Sequence, residues 1–177
     1  MIRKINPFDY SEFIVKQLPK GALLNTNGDK FNSMVVGWGH LGVVWSKPVF
    51  VVYVRENRYT KKQLDLTREF TLSFPLADAD PKIFKVCGAS SGRDVDKVAE
   101  AGLELALPQT INTPGVKQYP LTLECKVLYA QRQDLELLPK EIRDAMYPTE
   151  VDGTAFGANR DPHTAYYGEI VDAYVVE

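Results

Sequence analysis

The sequence lacks the features that mark several large classes of protein. It has only two cysteines, Cys87 and Cys125, which lie far apart and match neither a disulfide scaffold nor a zinc motif. Its longest apolar run, residues 48–54, is far shorter than the roughly 20 residues that span a bilayer. No apolar segment follows the basic N-terminus, so no signal peptide is predicted. We therefore expect a cytoplasmic protein with reduced thiols and no membrane partner.

An excess of basic charge is also missing. The 21 basic and 23 acidic side chains give a formal net charge of −2. A nucleic-acid-binding protein usually has a basic excess or a basic stripe, so no nucleic-acid partner is predicted. Two histidines and two scattered cysteines form no recognisable ligand set, so no metal site is predicted. The chain has no Gly-rich dinucleotide-binding loop and no Walker loop.

What the sequence does have is a succession of short β-strands in a globular composition, with 45% apolar and 25% charged residues. Strands are predicted at residues 21–26, 30–39, 49–54, 69–75, 120–131 and 164–176. Asn27 and Gly28 predict a tight hairpin turn, and Gly168 predicts a bulge. On the strand at 120–131, alternate residues from Leu121 to Tyr129 are expected to share one face.

Short helices interrupt these strands. They are predicted at residues 8–18, 60–67 and 138–148, after Asp80, and between Ser91 and Gly102. Thr60 and Gln63 form a T-x-x-Q capping box at the start of the second helix. Because strands and helices do not alternate regularly, a doubly wound sheet is not expected. The pattern predicts one domain over residues 1–177, mainly β, built as a Greek-key barrel with helical insertions.

Two arginines stand where a buried strand gives way to a helix. Arg55 and Arg58 follow the apolar run, and Tyr59 and Thr60 come next. Guanidinium groups match phosphate oxygens, and a helix N-terminus adds N–H donors, so this segment is a candidate phosphate site. The alternative is that both arginines are solvated surface residues and that Thr60 only caps the helix.

Four stretches together resemble one known family. They are FNSMVVGWG (31–39), KPVFVVYVRENRYT (47–60), CGASSGRDVDK (87–97) and HTAYYGEIV (163–171). In this order they resemble the flavin reductase-like FMN-binding split-barrel proteins, in the short branch that includes flavoredoxin. The resemblance extends from about residue 10 to residue 176. It implies a split β-barrel that forms a homodimer and holds FMN at the dimer interface.

The resemblance also implies which residues bind the cofactor. The FMN phosphate would be held by Arg55, Arg58, Tyr59 and Thr60. The ribityl chain and the isoalloxazine edge would be lined by Asn32, Ser33, Met34, Gly37, Trp38 and Gly39. The glycines would let backbone groups come close to a flat ring. Trp38 is either an apolar wall of the site or an ordinary core residue.

The segment SGRDVDK has two interpretations. Ser91 and Gly92 would cap a helix, with acidic residues in its first turn. The resemblance instead places Ser91, Gly92, Arg93 and Lys97 beside the flavin. Arg93 or Lys97 would then stabilise anionic reduced flavin or contact the phosphate of a nicotinamide nucleotide.

His163 is the candidate catalytic residue. A lone histidine is more often structural, but the resembling family has a histidine in this motif near the flavin. His163 would position the electron donor or transfer a proton near neutral pH. Cys87 is either a redox thiol or a small packing residue, and Cys125 is expected in the core.

The sequence therefore predicts an FMN-dependent oxidoreductase of the flavin reductase-like class. NADH or NADPH would supply the hydride, and a free flavin or another acceptor would receive it. One alternative is a flavoredoxin-like electron-transfer protein that meets a redox partner protein and does not itself turn over pyridine nucleotides. Another is a split barrel that serves as a non-catalytic binding module.

Overall fold

The computed structural model describes residues 1–152 and 159–177. Its strands are β1 Ile2–Lys4, β2 Ala22–Asn27, β3 Phe31–Val36, β4 Gly39–Val44, β5 Lys47–Arg55, β6 Glu69–Phe74, β7 Leu105–Ala106, β8 Gly115–Val116, β9 Leu121–Arg132 and β10 His163–Val176. Its α-helices are α1 Ser11–Gln17, α2 Tyr59–Thr67, α3 Pro81–Ala89, α4 Lys97–Ala101 and α5 Lys140–Met146. Single turns of 3-10 helix cover Pro7–Tyr10, Leu18–Lys20 and Leu135–Leu137. Within the described ranges, every helix is too short or too polar to cross a bilayer.

One antiparallel sheet organises the chain. Its strands lie in the order β3-β2-β6-β9-β10-β5-β4, and β1 pairs with β10. Neighbours in this order are often distant in sequence, which is the Greek-key arrangement, and the predicted split barrel is confirmed. The interior is filled by large apolar side chains, among them Phe50, Phe70, Phe74, Leu123 and Tyr166.

Strand β5 is buried on both faces, as its β-branched run predicted. Phe50 and Val52 point into the barrel, whereas Val49 and Val51 join a second apolar cluster with Ala165 on the outer face. This strand ends at the cavity described below.

The tight turn lies in a different hairpin from the predicted one. Asn27 pairs with Phe31, so β2 and β3 are joined by a three-residue loop, and neither Asn27 nor Gly28 has a positive φ. The two-residue turn is instead Trp45-Ser46 between β4 and β5, with φ of 52° and 58°. This turn was missed because the strand predicted at residues 30–39 ends at Val36, and β4 was not predicted as a separate strand.

A bulge lies beside Gly168, as predicted, but the extra residue is on the partner strand. Tyr167 pairs with Tyr129 and Gly168 pairs with Val127, which leaves Leu128 unpaired. The inward face predicted for β9 therefore holds only as far as Val127, and Tyr129 turns outward. A Cβ at Gly168 would lie 2.5 Å from the Phe70 ring, so this position must be glycine.

Two helix starts differ from the prediction. Helix α2 has Arg58 at its N-cap, and the predicted capping box does not form, because the buried Gln63 side chain bonds to Asp29. Helix α4 is capped by Asp96 and not by Ser91. Two other predictions are confirmed: Asp80 caps the start of α3, and Gly102 ends α4 with φ of 70°.

Candidate functional site

A cavity of about 680 Å³ opens between β3, the start of α2, the segment from α3 to α4, and the first residue of β10. It is lined by most of the predicted site residues, namely Asn32, Met34, Gly37, Trp38, Arg55, Arg58, Tyr59, Thr60, Ser91, Gly92, Arg93, Lys97 and His163. The fold thus brings together four stretches that are far apart in sequence. The volume lies in the range typical of small-molecule sites.

Ser33 and Gly39 are the two predicted site residues that do not line this cavity. Ser33 is fully buried, and its carbonyl accepts a hydrogen bond from Lys97. A Cβ at Gly39 would lie 2.6 Å from the Val51 carbonyl oxygen and 2.7 Å from the Phe50 ring. Gly39 therefore serves the packing of β4 on β5, and its absent side chain makes no room for a ligand.

One end of the cavity is cationic. Arg58 lies at the N-cap of α2, and Arg93 faces it from the loop before α4, where its Nη1 donates to the Asn57 carbonyl over 3.0 Å. Neither arginine forms an ion pair with any residue that the structure describes. The Thr60 hydroxyl accepts from the Asn32 side chain over 2.8 Å, which leaves its own proton free to donate. This end suits a phosphate group.

Tyr59 contributes differently from the prediction. Its hydroxyl donates to Asp29 Oδ1 over 2.5 Å, so its proton is not available to a phosphate. This bond, with a second one from Gln63, lowers the pKa of Asp29 to about 2. The Tyr59 ring forms part of the wall: a Cβ at Gly92 would lie 2.8 Å from it. Tyr59 thus shapes the site and does not donate to a phosphate.

Arg55 also has a different role from the predicted one. Its Nη1 donates to the carbonyls of Asn159 and Asp161, and its Nη2 donates to the Met146 carbonyl over 2.9 Å. Its guanidinium lies 4.9 Å from the centroid of the Tyr147 ring. Arg55 therefore joins the end of α5 and residues 159–161 to the end of β5, and these contacts do not support a direct role at a phosphate.

A buried acceptor in the cavity wall lacks a partner among the described residues. Asn32 is 2% exposed, and its Oδ1 has no hydrogen-bond partner among the described residues. A Cβ at Gly92 would lie 2.1 Å from this oxygen, so only glycine leaves the space open. Since a buried acceptor without a partner is unfavourable, the geometry suits a ligand that brings a hydroxyl or an N–H group.

Lys97 is a buried cation in the cavity wall. Its Nζ donates to the carbonyls of Ser33 and Cys87 over 2.7 and 3.1 Å. Burial, and secondarily the charge of Arg58, lower the pKa of Lys97 to about 8. Burial raises the pKa of the Cys87 thiol, which favours the packing interpretation of Cys87 over the redox one. Cys125 is fully buried in the core, as predicted.

His163 and Trp38 form another part of the cavity wall. Trp38 is 42% exposed, so it is a wall and not a core residue, and its ring centroid lies 4.8 Å from that of His163. The Nδ1 atom of His163 lies 2.9 Å from the Tyr147 hydroxyl. Burial, followed by the charges of Arg55 and Arg58, lowers the pKa of His163 to about 3. This imidazole is neutral at pH 7, which argues against proton transfer near neutral pH and leaves a positioning role.

Sequence reasoning missed several members of the site. Tyr53 and Asn57 line the cavity. Tyr147 forms a hydrogen bond with His163 and another with Gln133. Asn57 lies inside a predicted segment and was not singled out. Tyr147 and Gln133 lie 16 and 30 residues from His163, and no local pattern links them.

Comparisons with known proteins identify the fold. The structure is similar to the flavoredoxins of Desulfovibrio vulgaris (Miyazaki F), with 22% identity and a TM-score of 0.64, and of Methanosarcina acetivorans, with 26% identity and a TM-score of 0.64. Each match covers 89% of this chain, and 69% and 68% of the respective flavoredoxin. It is also similar to an FMN-binding domain of a flavin reductases-like enzyme from Shewanella baltica OS155, with 15% identity, a TM-score of 0.63, and coverage of 99% of this chain and 77% of that one.

Among curated proteins, none matches the chain significantly. The sequence pattern of the flavin reductase like domain matches residues 15–177. With the split barrel and the cavity at its edge, that match leads to one conclusion: the chain belongs to the flavin reductase-like domain family.

Proposed function

We propose that the cavity binds FMN and that the protein is an oxidoreductase of the flavin reductase-like class. The observation that carries this proposal is the composition of the cavity. Arg58 and Arg93 form a cationic end without ion pairs to the described residues, the buried Asn32 has an oxygen without a partner among those residues, and Trp38 provides an exposed aromatic wall. A phosphate, a polyhydroxyl chain and a flat ring require these three kinds of surface.

The described residues fit FMN on chemical grounds. Arg58, Arg93 and the Thr60 hydroxyl would hold the phosphate, and Asn32 Oδ1 would accept from a ribityl hydroxyl. Lys97 has a third N–H beyond those given to its two carbonyl partners, which suits an electron-rich ligand atom. When bound, FMN supplies the redox chemistry, and the protein supplies binding, orientation and electrostatics.

The electron source in this proposal is NADH or NADPH, and the acceptor is a free flavin or another small molecule. The second candidate is electron transfer to a redox partner protein without pyridine-nucleotide turnover, and the likeness to two flavoredoxins favours it. Both candidates need FMN in the same cavity, so they share the cationic end and differ in what approaches His163.

Three measurements test the proposal. Titration of the purified protein with FMN should show saturable binding, and a protein that binds no FMN would overturn the proposal. Steady-state oxidation of NADH and of NADPH with FMN present then separates the candidates. Turnover supports the reductase, whereas bound FMN without turnover supports the electron-transfer protein or a non-catalytic module. Reduction of the bound FMN by a chemical reductant, and reoxidation by an electron acceptor protein, distinguishes those two.

We also propose that the protein is a homodimer. The outer face of β4, β5, β9 and β10 carries Trp45, Tyr129 and Tyr167, whose ring centroids lie 5.4–6.3 Å apart. Trp45 and Tyr129 are 57% and 43% exposed, and both contact the Tyr167 ring, which packs against the buried cluster of Val49, Val51 and Ala165. A second copy would cover this aromatic face, since two-fold dimers are the commonest oligomers of soluble proteins.

A further inference from the structure

Gln133, Tyr147 and His163 are linked by hydrogen bonds, and the chemistry of each group determines which atom donates and which accepts. Gln133 Oε1 lies 3.3 Å from the backbone nitrogen of His163 and 2.8 Å from the Tyr147 hydroxyl. A backbone N–H can only donate, so the Gln133 atom that faces it is the amide oxygen and not the amide nitrogen. Because an amide oxygen only accepts, the Tyr147 hydroxyl gives its single proton to Gln133.

The direction of that bond selects the tautomer of the imidazole. The Tyr147 oxygen lies 2.9 Å from His163 Nδ1 and, having donated to Gln133, can only accept there. The Nδ1 atom therefore carries the proton. Burial and the two nearby arginines keep the ring neutral at pH 7, so it carries only this one proton. The Nε2 atom is left with a bare lone pair on the side chain that lines the cavity.

We propose that Gln133 and Tyr147 are positioning residues that hold His163 with its proton on Nδ1, so that Nε2 accepts a hydrogen bond from a neutral N–H or O–H donor of the ligand that lies beside Trp38. The tautomer depends only on hydrogen bonds within the protein. The ligand class rests on the proposed function, in which the electron donor enters this part of the cavity.

The surroundings restrict the ligand group further. Arg55 and Arg58 both act on His163 as nearby positive charges, which disfavours a cationic donor at this position. A bare lone pair on Nε2 repels a carbonyl or carboxylate oxygen. The Trp38 ring, at 4.8 Å, favours a flat group. The primary carboxamide on the ring of a nicotinamide nucleotide is neutral, flat and carries N–H donors, so it satisfies all three restrictions.

The tautomer is tested first, on the protein without ligand. Nitrogen NMR of histidine-labelled protein at pH 8 shows two imidazoles, and His163→Asn assigns the signals because His40 is the only other histidine. We expect the His163 signals of a protonated Nδ1 and an unprotonated Nε2. In Gln133→Met, Tyr147 is free to donate to Nδ1, so the tautomer should reverse. In Gln133→Glu, a carboxylate still accepts from Tyr147, so the tautomer should persist.

A wild-type protein with its proton on Nε2 would overturn the proposal, as would unchanged signals in Gln133→Met. A purely structural role for Gln133 would change stability without exchanging the two nitrogen signals. Melting temperatures of both Gln133 variants separate that case from the expected one.

The ligand class is tested with FMN-loaded protein and two donors. NADH carries a carboxamide, whereas its 3-acetylpyridine analogue carries a methyl ketone with no N–H. In Gln133→Met, the KM for NADH should rise about tenfold, the worth of one good hydrogen bond, with kcat little changed. The KM for the analogue should not rise, because the reversed tautomer gives Nε2 a proton that can be donated to the ketone, and the affinity for FMN should stay the same. An equal rise for both donors would refute the carboxamide contact.

If the protein oxidises neither donor, the proposed electron source is contradicted. The tautomer measured by NMR is not affected by that result. Calorimetric dissociation constants of the same two nucleotides then decide the ligand class. If the wild type binds NADH more tightly than the analogue and Gln133→Met does not, the carboxamide contact is supported. If the wild type binds both nucleotides equally, the contact is overturned.

Discussion

Arg55 and Arg58 lie three residues apart, but their guanidinium groups have different surroundings. Arg55 is 9% exposed and donates to the backbone carbonyls of Asp161 and Met146. Arg58 sits at the N-cap of α2, and its Nη2 donates to Asn159 Oδ1 over 3.2 Å. Of the two, Arg58 is the one with donors available for a ligand phosphate.

Arg58→Ala should weaken the binding of FMN tenfold or more and leave riboflavin nearly unchanged, because riboflavin has no phosphate. A charge-assisted hydrogen bond contributes roughly 1.5–3 kcal/mol, which sets this magnitude. Titration of both ligands against both proteins measures it, with the exposed Arg132→Ala as control. An equal loss for the two ligands would remove Arg58 from the phosphate site.

Lys97 should make stability depend on pH in the alkaline range. Its pKa in the folded protein is about 8, below the value of about 10.4 in an unfolded chain. Between these values the unfolded state binds more protons, so the free energy of unfolding should rise as pH rises from about 8 to about 10.4. Lys97→Met should flatten this rise.

Denaturant unfolding at a series of pH values tests the Lys97 prediction. The exposed Lys82→Met variant serves as control and should rise with pH as the wild type does. Identical slopes in Lys97→Met and the wild type would show that Lys97 is not the group responsible.

At the scale of elements, the Arg55 guanidinium joins the end of α5 and residues 159–161 to the barrel. Arg55→Lys keeps the charge but cannot reach three carbonyls at once, so it should destabilise the protein by roughly 2–4 kcal/mol. The effect should be local: amide hydrogen exchange should accelerate in α5, Lys140–Met146, more than in β9. Arg143→Lys, on the same helix, is the matched control, and wild-type exchange in α5 of the Arg55 variant would refute the tether.

The hairpin turn between β4 and β5 is strained. Trp45 and Ser46 both have positive φ, a conformation that costs a residue with a side chain roughly 1–2 kcal/mol. Ser46→Gly should therefore stabilise the protein by about 1 kcal/mol, as a higher denaturant midpoint with an unchanged slope. Ser46→Ala should give no such gain. A lower midpoint for the glycine variant would mean that the turn is not strained at Ser46.

At the scale of the whole molecule, the aromatic face gives the dimer proposal a location. Tyr129→Glu should convert a dimer into a monomer in light scattering, because a charge would be buried without a partner. Leu137→Glu, at a residue 82% exposed and away from this face, should leave the dimer intact. FMN should dissociate more readily from the monomeric variant. A wild-type monomer that holds FMN tightly would contradict the proposal.

Local patterns were sufficient for much of the barrel, and the family resemblance was sufficient for most of the cavity lining. The β-branched run of β5, the Asp80 cap and the Gly168 bulge are local features, and each was found where predicted. Twelve residues carried over as cofactor ligands line one cavity, because motifs keep their order and spacing along the chain. Strand register is not local, which is why the outward turn of Tyr129 was missed.

Only the tertiary structure decides which hydrogen-bond donors and acceptors remain available to a ligand. Sequence supplies the donors of Arg55 and Tyr59, but carbonyls after α5 and the carboxylate of Asp29 take them up in the folded chain. The same holds for His163: burial keeps it neutral, and Gln133, 30 residues away, sets its tautomer through Tyr147. Hydrogen bonds and burial depend on positions in space, and contacts across such sequence distances form only when the barrel closes.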